Sequence, residues 1–149
     1  MTLQLLAVLI LGLMCGSELS VAAIAHPTLN RQSRDVHILM RSSFAALLGQ
    51  VMPFWMTGST LLNLFLLLPA GHLTPAAWRL AAIAFAIQIF AVVFSLVGPV
   101  PINNRIAKWR PESVPGDWQA QEHRWDVYHW LRTGCLIAAF ILLVLSLSA

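Results

Sequence analysis

The stretch PVPINNRIAKWRPESVPGDWQAQEHRWDVYHWLR, residues 99–132, holds nine of the fifteen charged residues of this 149-residue chain and four of its six tryptophans, so charge is scarce everywhere else. On either side of it the sequence is apolar, over residues 77–97 before it and residues 127–147 overlapping its end. With 58% of residues hydrophobic, 10% charged and a mean hydropathy of +0.75, a soluble domain of this size could not cover its apolar surface.

Four runs, residues 3–25, 44–68, 77–97 and about 127–147, reach the roughly 20 residues that a helix rising 1.5 Å per residue needs to cross a bilayer. The expected fold is all-α: an integral membrane four-helix bundle that takes up residues 1–149 as one transmembrane domain. A short interfacial helix is expected between spans three and four, where Ile102, Ile106 and Trp109 recur at helical spacing beside Arg105, Lys108 and Arg110.

Local signals set the boundaries. Span one should end sharply at Ala25-His26-Pro27, because proline disfavours helix in the residue before it and cannot continue the ladder. Another helix should begin near Asp35, with His37 and Arg41 on one face, and Pro53 interrupts its ladder within the membrane. The link Pro69 to Pro75 is short, which makes spans two and three antiparallel neighbours. Gly98-Pro99-Val100-Pro101 breaks span three, and Asp117 can cap the last helix. No Lys or Arg precedes the first apolar run, so it reads as a retained helix and not a cleaved signal; Met14 before Cys15 argues against a lipoprotein signal.

Arg31, Arg34 and Arg41 lie between spans one and two, and Arg105, Lys108, Arg110 and Arg124 between spans three and four; the opposite side offers only Arg79. By the positive-inside tendency both basic loops face the cytoplasm and both termini face out of a plasma (bacterial inner) membrane. The pI near 9.5 then reports topology, with membrane lipid as the partner and no nucleic acid. Cys15 and Cys135 lie within spans, where single cysteines act as small hydrophobes.

Glu18 is the one acidic residue in the interior of a span. At mid-helix such a side chain costs about 2.5 to 3.5 kcal/mol, so it needs a partner or water. Leu11, Met14, Cys15, Ala22 and Ala25 share its face, while Gly12, Gly16 and Ser20 form a small-residue stripe opposite, suited to a neighbouring helix or a second copy in a homo-oligomer. On the last helix Trp125, His129 and Arg132 share one face, with Glu122 a turn earlier and Asp126 beside them. Arg132 lies deep enough to need a partner, and Glu18 is in the same half of the bundle. A Glu18 contact with Arg132 or His129 is therefore expected, and it serves either a structural ion pair or a site.

An imidazole, with an unperturbed pKa of about 6.5, suits acid or base work beside a carboxylate and a guanidinium. His129, Glu18 and Arg132 are accordingly the candidate catalytic residues. Asn103 and Asn104, just past the proline-rich break, can either hydrogen-bond an enolate oxygen or cap the interfacial helix. Trp125 can wall a flat ligand, while Trp109, Trp118 and Trp130 fit an aromatic belt. No cofactor is predicted: His26, His37 and His123 lie on the same side as His129, but their spacing matches no standard metal or haem motif. Phosphate loops, Ser-His-Asp arrangements and paired zinc cysteines are absent from the sequence.

Through Pro101-Ile102-Asn103-Asn104-Arg105-Ile106 to Trp109, then Trp118, Arg124-Trp125 and His129-Trp130-Leu131-Arg132, the chain resembles the anthrone oxygenase-like family of small four-span membrane proteins. Gly16-Ser17-Glu18 followed by His26-Pro27 is similar to that family's first helix. The resemblance implies Glu18, Asn103, Asn104, Trp125, His129 and Arg132 as family positions, and oxidation of an anthrone to an anthraquinone by molecular oxygen. On that reading His129 takes a methylene proton, Glu18 orients it, and Arg132 with Asn103 stabilises the enolate oxygen. The alternative is a non-enzymatic membrane accessory protein that binds a lipid, a quinone-like molecule or haem.

Overall fold

The first apolar run folds as α1 (Thr2–Ser20), and its buried Gln4, Ala7, Leu11, Met14 and Glu18 recur every three or four residues, the spacing that stacks side chains on one helix face. The computed structural model describes residues 2–149; Met1 lies outside the described residues.

The sharp exit expected at Ala25-His26-Pro27 is not there. A π-helical turn, Val21–Ala25, carries the rod into α2 (His26–Leu29) without a break. In an α-helix the ring of Pro27 would collide with the carbonyl four residues back, and a π turn widens the helix just where that clash would fall. The Thr28 hydroxyl adds a bond to the Ile24 carbonyl at 2.7 Å.

The chain turns and enters α3 (Arg34–Leu67), which runs through Pro53 as a single helix. A 3-10 turn over Pro69–Gly71, with His72 left-handed at its end, leads to α4 (Pro75–Val97), whose start is capped by the Thr74 hydroxyl accepting from the Ala77 N–H at 3.1 Å. Next comes α5 (Pro99–Ile106). Proline fits a first helical position, so Gly98 alone makes the break expected over Gly98–Pro101. The last helix is α6 (Trp118–Leu145). Asp117 precedes it but makes no capping bond; its carboxylate accepts from the Gln121 side chain at 2.9 Å instead.

By length and composition, three rods among the described residues are long and apolar enough to cross a membrane: Leu3–Leu29, Pro75–Val97 and Trp118–Leu145. At 34 residues α3 is the longest helix, but Gln50, Thr57, Ser59, Thr60 and Asn63 dilute its apolar run. Three of those polar residues, Ser59, Thr60 and Asn63, are buried. Asn63 donates to the Gln88 side-chain oxygen at 3.0 Å, and Gln88 donates to the Ser59 hydroxyl at 3.3 Å, so these side chains link α3 to α4, while Thr60 donates to the Met56 carbonyl of its own helix.

Each of α1 and α4 packs against both α3 and α6. The buried face of α4 is a ladder of Ala77, Ala81, Ala84, Gln88, Ala91 and Ser95, whose mostly small side chains let α6 approach closely. Gln4 donates to the Ser146 carbonyl at 2.6 Å and Thr74 to the Ala149 carbonyl at 3.0 Å, which gathers the start of α1, the α3–α4 turn and the C-terminus at one end. At the other end Arg34 donates to the Pro111 carbonyl at 3.2 Å, joining the two basic loops. α5 fills this end, burying Ile102 and Ile106 in a cluster with Val21, Ile38, Trp109 and Trp125.

Candidate functional site

Two layers of buried charge sit between α1, α3 and α6 near the basic end. In the deeper one, Arg132 donates to Glu18 through Nε (3.1 Å to Oε2) and Nη2 (2.9 Å to Oε1 and 2.7 Å to Oε2). Glu18 is 2% exposed, so its charge is stabilised by this guanidinium and by the Thr133 hydroxyl at 3.5 Å. His129 completes the layer. Its Nε2 lies 3.1 Å from the Glu18 carbonyl, and its Nδ1 lies 3.1 Å from Arg132 Nη2 and 3.3 Å from Glu18 Oε2. In either protonation state both ring nitrogens have partners: a neutral ring donates from Nε2 and accepts at Nδ1, and a charged ring donates from both.

The second layer lies one to two turns closer to the loops. His37 and Arg41, four residues apart on α3, meet Glu122 and Asp126, four apart on α6. His37 Nε2 is 2.7 Å and Arg41 Nε 3.2 Å from Glu122 Oε1, and Arg41 Nη2 bonds Asp126. His37 Nδ1 donates to the Leu29 carbonyl at 3.0 Å, tying the end of the first rod into the layer. Arg41 is 2% exposed, so it is not the loop charge that the sequence suggested. Its guanidinium lies 4.8 Å from the centre of the Trp125 ring, and the same indole stacks on His129 with centroids 4.7 Å apart and planes 13° off parallel. Trp125 thus joins the two layers.

His26 belongs to the second layer, and sequence reasoning gave it no role there. Its Nδ1 lies 3.1 Å from Asp126 Oδ1, and its ring packs on Trp125 at 5.0 Å and His129 at 5.8 Å. A helix of uniform pitch would turn it away from Glu18. The π turn absorbs one residue, a rotation of about 100°, and brings His26 onto the Glu18 face.

A cavity of about 140 Å³ lies beside these layers, between α3, α4, α5 and α6. Of the six candidate residues, Asn103, Asn104, Trp125 and Arg132 line it. The rest of its wall is nearly all apolar, including Met52, Met56 and Val92. Asn103 is fixed by donating to the Ala45 carbonyl at 2.8 Å. Exposed wall residues, Pro53 and Thr57 on α3 and Leu96 on α4, put the mouth on the lateral face of the helices.

Glu18 and His129 are not on this wall; they stand behind Arg132. The expected base is therefore neither free nor directed into the cavity. His129 instead borders a recess of about 190 Å³ at the basic end, with His26 and Asp126. Among the described residues no three His, Cys, Asp or Glu side chains are grouped to hold a metal ion. His37 spends both ring nitrogens on protein partners, and His123 is exposed. Cys15 and Cys135 are free thiols.

The model of the anthrone oxygenase family matches residues 40–142, more than half of the chain. The chain belongs to that family. No curated protein and no solved structure matches it. For this anthrone oxygenase family member, the matched segment contains the whole cavity wall, with Asn103, Asn104, Trp125 and Arg132, and Arg41, Glu122, Asp126 and His129 of the charged layers. The matched segment leaves out Glu18 and His26, which the first rod contributes, and His37 near the start of α3.

Proposed function

We propose that the chain is a four-span membrane oxygenase that oxidises a flat aromatic ketone bearing an acidic methylene, an anthrone or a close analogue, with dioxygen and without a cofactor. On this reading α3 is the second span, its polar side chains turned toward α4. Residues 1–149 form one four-helix bundle with α5 at the membrane surface. Both termini face out, and the loops bearing Arg31, Arg34, Arg105, Lys108, Arg110 and Arg124 face the cytoplasm of a plasma membrane.

One observation carries the proposal: a guanidinium and two carboxamides, those of Arg132, Asn103 and Asn104, meet in the wall of a largely apolar cavity. Fixed donors in apolar surroundings stabilise a developing oxyanion strongly, because water does not compete for it and they need not reorganise. Removal of one methylene proton from an anthrone puts the electron pair onto the ketone oxygen as an enolate, which Arg132 and Asn103 hold. The enolate carbon then bonds dioxygen to give a peroxide. Loss of the second methylene proton forms the new carbonyl as the O–O bond breaks and water leaves. Anthrone plus dioxygen thus becomes anthraquinone plus water. Trp125 supplies a flat wall, and Glu18 with His129 hold Arg132 at a fixed angle.

A second reading, a ligand-binding accessory protein, draws support from the absence of any carboxylate or imidazole on the cavity wall among the described residues. The test is dioxygen uptake by purified protein in lipid nanodiscs given anthrone. One dioxygen consumed per anthraquinone, above the spontaneous rate and lost in Arg132→Leu, supports the oxygenase. Anthrone binding without uptake supports the accessory reading.

A further inference from the structure

If the cavity holds an anthrone, something must take its methylene proton, and no residue of the wall can: Arg132 is a cation, and Asn103, Asn104 and Trp125 are not bases. Three histidines are buried nearby, His26, His37 and His129. Both ring nitrogens of His37 and of His129 have protein partners. His26 differs: Nδ1 faces Asp126 at 3.1 Å, and Nε2 has no hydrogen-bond partner among the described residues. Asp126 is itself held by Arg41. A carboxylate against Nδ1 keeps the proton on that nitrogen, leaves the Nε2 lone pair available, and stabilises the imidazolium once a proton arrives.

His26 is also the group through which the hollow spaces connect. Between it and the main cavity lies a pocket of about 10 Å³, bordered by His26, Arg41, Asn103 and Trp125; Asn103 and Trp125 are shared with the cavity wall. That volume is about the least that a single water needs, and although half of the border is apolar, His26, Arg41, Asn103 and Trp125 offer it polar partners. Arg41 Nη1 and Trp125 Nε1 are buried donors that have no partner among the described residues. On its other side His26 borders the recess of about 190 Å³ that includes Asn30 and Asp126, at the basic end.

We infer that His26, paired with Asp126, is the general base of this site, drawing the methylene proton through one water in the small pocket and exchanging it with solvent through the recess. The inference rests on the oxygenase reading. The C–H bond breaks, its electron pair becomes the enolate, and the proton ends on His26 Nε2. His26 returns that proton to the peroxide formed with dioxygen. It then takes the second methylene proton as the O–O bond breaks, and gives it to the departing hydroxide to make water. His26 ends neutral, and Arg132 and Asn103 keep their protons throughout.

The first step can be read without oxygen. Purified protein in nanodiscs is held anaerobically in deuterated buffer with anthrone, and deuterium entering the methylene is followed by mass spectrometry. Wild type should accelerate exchange, and His26→Ala should lose about 100-fold of that acceleration, the usual contribution of a positioned base, while still binding anthrone. Added imidazole should restore part of the loss. His26→Gln, close in size and polar toward Asp126, serves if the alanine variant does not fold. Exchange at the wild-type rate in a folded His26 variant overturns the role of His26 and leaves the oxygenase reading standing. A wild type that neither exchanges nor oxidises anthrone overturns both.

Discussion

Arg132 grips the Glu18 carboxylate with three N–H···O contacts of 2.7–3.1 Å, joining α6 to α1 where both side chains are buried. Removing one partner strands the other as a buried charge. Glu18→Leu or Arg132→Met should each cost about 3–5 kcal/mol of stability. The double variant should lose less than the sum of the two, because neither charge is then left alone. Denaturant unfolding in detergent micelles, followed by tryptophan fluorescence, measures all three.

Arg41 lies between two carboxylates, those of Glu122 and Asp126. Arg41→Met leaves buried Glu122 and partly buried Asp126 without their cation, again at a cost of about 3–5 kcal/mol. Arg41→Lys keeps the charge but not the planar fork that reaches both acids and stacks on Trp125, so it should recover only part of the loss. Circular dichroism melts of the two variants should rank wild type above lysine above methionine.

Gly49 is where α3 passes Asn103: a Cβ built on it would stand 3.0 Å from Asn103 Nδ2. Gly49→Ala should displace that carboxamide by a few tenths of an ångström, straining its bond to the Ala45 carbonyl and its aim at the cavity. The expected result is a drop in anthrone turnover with a stability loss of only about 1 kcal/mol, the worth of one hydrogen bond. Unchanged turnover would separate Asn103 from the oxyanion role.

The small-residue stripe of α1 makes a paired prediction. A Cβ on Gly12 would lie 2.8 Å from Phe140 of α6, whereas one on Gly16 would meet nothing within 4 Å. Gly12→Val should therefore destabilise by about 1–3 kcal/mol through overpacking. Gly16→Ala should be neutral or slightly stabilising, since alanine favours helix. Equal effects at the two positions would mean that the open side of α1 is covered, as it would be in a homo-oligomer.

Periodicity made the helices and the Glu18–Arg132 pairing readable, because a lone acid in one apolar run and a deep arginine in another have few other ways to be satisfied. It also grouped Trp125, His129 and Arg132 on one face. The second layer had a weaker signal in the sequence: His37 and Arg41 are four apart, as are Glu122 and Asp126, so two bases on one helix can meet two acids on another. That matching needs the two helix starts to lie side by side, which short-range pattern does not tell. His26 was hidden for a different reason. Counting at 3.6 residues per turn puts Ala22 and Ala25 on the Glu18 face, and the register changes only because the helix widens at Val21–Ala25 to pass Pro27. Nor could spacing show that His129 has no nitrogen to spare, since one of its partners is a backbone carbonyl of another helix.

On the proposed oxygenase reading, the lateral mouth of the main cavity, flanked by Pro53, Thr57 and Leu96, sets the units in which substrate is met. A flat aromatic that enters from the side is drawn from the bilayer, so the quantity that governs occupancy is molecules of substrate per lipid, not per litre of buffer. Adding empty vesicles at constant total substrate should slow turnover by diluting the substrate among more lipids, and concentrating the same substrate into fewer lipids should restore it.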